Sequence, residues 1–224
     1  MKKILRKTAG AAAAVTVLLT SGGFNSDDFN LYSLKNYHKE YRSESIGACS
    51  TSSTKTYEDY RMITDPESRQ YKYIHEHMTV DEETGFLYNE DGFIGVALGY
   101  QFGEIGSEYY VILDTGIIIP VVKIDAKAAV DASDGCSANL YASVIEFVID
   151  SEKAYEYFGG GNGLASNGNF NNFECLQGNI LDFERVLDEK IEDGIIYVRD
   201  METKVKSDEA GDNVRMIVGE YSIK

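Results

Sequence analysis

Hydrophobic and polar positions alternate most clearly between Gly92 and Asp150. In residues 144–150, Val144, Glu146, Val148 and Asp150 fall on one face and Ile145, Phe147 and Ile149 on the other, the two-residue period of a β-strand. Runs rich in branched and aromatic residues at 93–102, 109–113 and 117–124 predict three more strands, with Asp114, Thr115 and Gly116 as the tight turn between the last two. Upstream, Asp65 and Pro66 supply an N-cap and a first-turn proline. They predict a short helix over 66–78 that buries Tyr71, Ile74 and Met78. Downstream, Ile180, Phe183, Leu187 and Ile191 recur at helical spacing, and 195–201 with 214–221 read as a closing hairpin. Residues 159–172, rich in glycine and asparagine, have the composition of an exposed loop.

This pattern divides the chain into three parts. Residues 1–23 read as a signal peptide, with Lys2, Lys3, Arg6 and Lys7 ahead of a short run of small and aliphatic residues. The mature protein is expected to begin between Ser21 and Asp28, with an uncleaved signal anchor as the alternative. Residues 24–56 show no period that buries a face and read as a flexible Ser/Thr-rich spacer. Residues 57–224 are then one mainly β domain with peripheral helices, ending in a C-terminal helix and hairpin.

Charge narrows the partners. The net charge is −16, and it becomes −20 once the four basic residues of the leader are removed. Such a chain repels phosphate backbones and anionic lipid, so neither nucleic acid nor a membrane surface is an expected partner of the exported part. A neutral glycan, a cationic peptide or bound calcium remains compatible. An exported chain permits oxidation. Of the three cysteines, Cys136 and Cys175 lie in the predicted compact part and form the expected disulfide, leaving Cys49 spare. No cofactor is implied, and no cysteine pair has the spacing of a structural zinc site.

A resemblance adds to these readings. Ile63-Thr64, Ser68, Gln70-Tyr71, Gly85-Phe86, Asp91-Gly92, Val96-Ala97, Gly99, Gly103, Ile105-Gly106, Leu113, Gly116, Asp125, Lys127-Ala128, Val144, Glu146-Phe147 and Asp150 follow the pattern of a group of short secreted proteins of Gram-positive bacteria. More remotely, the succession of strands ending in Asp125 and Asp150 is similar to double-psi β-barrel domains, among them expansin-like domains and lytic transglycosylases. That resemblance implies a small six-stranded barrel and a late-strand aspartate acting as acid/base on a wall glycan, at the position of Asp150. The chain departs from the group in residues 129–134, which hold no histidine, and in Asn169, which stands where an aspartate follows the glycine.

Asp150 is therefore the first catalytic candidate, with helix capping as its ordinary alternative. Glu146 shares its face at roughly 13 Å by strand rise, too far for a retaining pair. Asp125 and Lys127 place opposite charges on one strand face and are candidates for orienting a substrate. Tyr100, in the glycine-tyrosine turn, is the candidate for stacking on a sugar ring. Asp131 and Asp134 do not have the spacing of a calcium loop. Asp114, Thr115 and Gly116 resemble an aspartic-protease tripeptide but are accounted for by a hairpin turn. His75 and His77 diverge on a helix, and no metal site is assigned. The expected function is a secreted cell-envelope protein that binds or cleaves a wall glycan through a barrel groove. The alternative is a non-catalytic acidic module that binds an envelope protein.

Overall fold

A computed structural model describes residues 30–192 and 195–198, and its mainly β architecture grows from the apolar run at its centre. Strand β5 (Ile94–Leu98) is buried along its whole length. Ahead of it come β1 (Tyr41–Ser45), β2 (Thr56–Asp59), helix α1 (Arg69–His77), β3 (Thr79–Val80) and β4 (Leu87–Tyr88). Behind it come β6 (Glu108–Leu113), β7 (Ile118–Ala126), β8 (Glu146–Ile149), helix α2 (Ser151–Phe158), β9 (Ile180–Glu192) and β10 (Ile195–Val198). The strands form one mixed sheet in the order β1-β9-β6-β7-β5-β4-β3, with β10 on β9 and β8 carrying β2 on the flank of β5. Pairing is parallel in β5–β7 and β2–β8 and antiparallel in the others. No pairing among the described strands joins β1 to β3, so the sheet is open and closure into a six-stranded barrel is not found.

Both faces of the sheet are covered. On one, Phe86, Val96, Phe147, Phe170 and Phe183 pack with Ala154 of α2. Phe86 meets Phe147 and Phe170 edge-on, at centroid distances of 5.0 and 5.3 Å, and burying each such ring contributes roughly 1.5–3 kcal/mol. On the other face, Phe93, Ala97, Tyr110, Val122, Ile124 and Val148 pack against Ile74 of α1. Ser68, rather than Asp65, caps α1, its hydroxyl accepting from Tyr71 N at 3.1 Å.

Four expectations are corrected. Residues 180–192 form β9, not a helix. The register shifts where Ile112 pairs with Asp182 and Leu113 with Ile180. That irregularity turns both Ile180 and Phe183 into the same core despite their odd spacing. Residues 30–56 are no free spacer: β1 pairs with β9, Leu31 and Leu34 are in the core, and Lys55 is buried. Cys136 bonds Cys49, Cα–Cα 6.4 Å, and not Cys175, which is a free buried thiol. The physical reason is the same: docking of residues 41–55 carries Cys49 to the loop beyond β7. Finally, the glycine-rich loop folds back on the sheet, burying Ala165 and Phe170. The leader and residues 214–221 lie outside the described residues.

Candidate functional site

Three strands bring the acids together. Parallel β2 runs beside β8, with Thr56 opposite Glu146 and Glu58 opposite Val148. Side chains two apart share a face, so Glu58 and Glu146 rise on the same side as Val148. Ala97 of β5 is the pairing partner of Glu146 on one flank and of Asp125 on the other. Asp125 reaches that position through a bulge: Val96 pairs with Lys123 but Ala97 with Asp125, so Ile124 is an extra residue in β7. Without it, the alternation along β7 would have turned Asp125 to the other face. A small side chain thus lies between two half-buried acids, with Glu58 beside them.

Electrostatics separate the three. No hydrogen-bond donor among the described residues reaches the buried Oε1 of Glu58. Burial first, then the charge of Asp125 and a hydrogen bond to it, then Glu146, push the Glu58 carboxyl up to about 9, while Lys127 pulls the other way. Glu58 therefore keeps its proton at neutral pH and donates it to Asp125, since two anions cannot share that contact. Lys127 Nζ stands 4.0 Å from Glu146 Oε2 and donates to the Ser143 carbonyl at 2.9 Å. Burial lowers the pKa of Lys127, against the pull of Glu146, Glu58 and Asp134. Lys127 thus pairs with Glu146, at the start of β8.

Asp150 is placed elsewhere, past the far end of β8 from Glu146. Its Oδ1 accepts from Glu152 N at 3.0 Å and Lys153 N at 3.3 Å, capping α2, and lies 3.4 Å from Arg61 Nη2. Arg61 also binds Asp59 at 2.7 Å and Glu152 at 3.0 Å, and Asp59 accepts from Ser151. These contacts hold the Asp59 carboxyl well below the usual range, chiefly through Arg61. This is a structural knot joining β2 to α2. Tyr100 lies over Gly135, whose positive φ of 75° and lack of a side chain leave room for the ring.

The remaining candidates find local roles. Asp114 accepts from Asn179 N at 2.8 Å and Asn179 Nδ2 at 2.6 Å in its turn. Asp134 accepts from the backbone of Cys136 and Ser137 at 2.8 and 2.9 Å. His75 stacks on Tyr71 and His77 tilts against Tyr73. No group of side chains among the described residues is arranged to hold a metal ion, and no helix among them is long and apolar enough to cross a membrane.

Sequence reasoning brought Asp125, Glu146 and Lys127 forward and missed Glu58. The available signal was faint: an acid at the third position of a four-residue strand whose partner lies 90 residues away. Comparison of the chain with family models, with curated proteins and with solved structures finds no match.

Proposed function

We propose that this chain is a secreted envelope protein that cleaves a neutral wall glycan by acid/base catalysis at Glu58, Asp125 and Glu146. One observation carries the reading: a carboxyl that keeps its proton at neutral pH lies against a second carboxyl, and a third, beside a lysine, stands across one alanine. Carboxyl groups whose environments hold them in different protonation states are what glycoside hydrolysis uses. Glu58 gives its proton to the glycosidic oxygen as the bond to the anomeric carbon breaks. Glu146, 4.0 Å from Lys127 Nζ, takes a proton from the water whose oxygen bonds that carbon. Asp125 supports Glu58 through their hydrogen bond. Glu58 stands one strand over from Glu146 and two residues along, so their backbones are roughly 8 Å apart, leaving room for that water.

The leader pattern supports export, and the acidity of the chain favours a neutral polymer over an anionic one. From the resemblance to double-psi barrel enzymes the reading keeps acid/base attack on a wall glycan, takes water as the acceptor, and moves the acid from Asp150 to Glu58. Incubating purified cell wall with wild type, Glu58→Gln, Asp125→Asn and Glu146→Gln, and weighing the soluble fragments by mass spectrometry, tests it. Wild type is expected to release saccharide fragments and each variant to lose about 10²-fold or more of that rate. No release by folded wild type, or equal release by Glu58→Gln, overturns the proposal.

A further inference from the structure

Residues 128–143, between β7 and β8, gather large apolar side chains in water. Val130 is 79% exposed, Leu140 67% and Tyr141 71%, and Tyr100, resting on Gly135, is 62% exposed. Single exposed apolar residues are ordinary, but a group of them on one loop marks an interaction surface.

The loop is also fixed. Cys136 ties it to Cys49. Asn139 crosses it, donating from Nδ2 to Val130 O at 2.7 Å and from its backbone to Asp131 O at 2.7 Å. Ser50 and Ser52 donate to Ala142 O and Tyr141 O, each at 3.4 Å. Tyr141 and Ala142 are held at φ 65° and 51°, a left-handed conformation that is unfavourable for residues bearing a side chain. A tyrosine held there with its ring in solvent does nothing for the core. Strain of this kind persists where the surroundings impose it, and it accompanies binding surfaces.

Charge decides the partner. Residues 128–143 contain Asp131 and Asp134, both exposed, and neither lysine nor arginine, while the neighbouring Lys127 is buried. Hydrogen bonds from Ser137 and Cys136 hold the Asp134 carboxyl below its usual range, so it stays anionic.

We propose that this loop is a docking surface for a basic polypeptide, with Val130, Leu140 and Tyr141 as apolar anchors and Asp131 and Asp134 as a charged rim. Aromatic and aliphatic anchors within a polar rim are the anatomy of a protein-binding patch. A loop clamped in advance loses little conformational freedom on binding, and the acids steer a cationic partner towards it. The inference stands apart from the acid/base reading, because it uses none of Glu58, Asp125 or Glu146.

The test is fluorescence anisotropy with a short labelled peptide alternating lysine with leucine and tyrosine. The same pattern with glutamate for lysine is the charge control, and an unlabelled N-acetylglucosamine oligomer is the competitor. Leu140→Ser, Val130→Ser and Tyr141→Asn remove the anchors, asparagine being chosen because it tolerates the left-handed conformation. Wild type is expected to bind the lysine peptide, more weakly as salt rises, and the triple variant to bind about ten-fold or more less tightly at an unchanged melting temperature. Equal affinity for the triple variant, equal affinity for the glutamate peptide, or no binding of the lysine peptide overturns the proposal. Displacement of the peptide by the neutral oligomer also overturns it, assigning the loop to a saccharide instead.

Discussion

Replacing Glu58 by glutamine should change how stability depends on pH. Folded Glu58 titrates at about 9 and the unfolded residue at the ordinary 4.5. Between those values the folded protein holds one more proton than the unfolded chain, so stability falls as pH rises. The contribution is complete below 4.5 and gone above about 9. Each unit is worth about 1.4 kcal/mol, so going from pH 5 to pH 8 removes up to about 4 kcal/mol. Glutamine can still donate an amide hydrogen to Asp125 but has no proton to lose. Urea unfolding of both proteins at pH 5, 6, 7 and 8 gives the difference between them, in which all other titrating groups cancel to first order. That difference should move in favour of Glu58→Gln by up to about 4 kcal/mol across the series. Parallel profiles, or a difference that moves the other way, would refute the reasoning.

Other consequences follow from the same contacts. Asp150→Asn should leave wall cleavage intact and change stability by about 1 kcal/mol or less in thermal melts, because asparagine caps nearly as well as aspartate; a collapse of cleavage would return Asp150 to the catalytic set. Non-reducing peptide mapping should recover Cys49 joined to Cys136 with Cys175 free. Reduction should lower stability by roughly 4–5 kcal/mol from loop closure over 87 residues, and a Cys136–Cys175 peptide would contradict the arrangement. Lys55 donates to Ser53 O, Asn171 Oδ1 and Gly178 O at 3.0, 3.2 and 2.9 Å. Lys55→Met should therefore destabilise by about 3 kcal/mol or more in urea unfolding by leaving those acceptors unpaired, whereas a neutral outcome would show that water replaces the ammonium.

The central strands were legible because β5 to β8 are runs of branched and aromatic residues bounded by glycine turns, and their acids stand out against that background. The rest depended on contacts far apart in sequence. In β1, Tyr41 is the one buried residue, so a strand held by backbone pairing to β9 and by the nearby disulfide looks like a spacer. The apolar positions of β9 mimic a helical period because an irregularity in its pairing with β6 resets the alternation. Glu58 acquires its character only when parallel pairing sets β2 beside β8 and the extra residue Ile124 turns Asp125 towards it. Asp150 illustrates the converse: a residue placed by analogy at the end of a strand proves to be the first polar group of the next helix.

The proton held between Glu58 and Asp125 is the central claim, and carboxyl-carbon NMR observes it directly. With glutamate and aspartate side-chain carboxyls labelled and Glu58 assigned by comparison with Glu58→Gln, a titration from acid to alkaline pH should show the Glu58 resonance still in its protonated position at pH 7 and changing near 9. A Glu58 carboxyl that ionises at the ordinary glutamate value, near 4.5, would contradict the account.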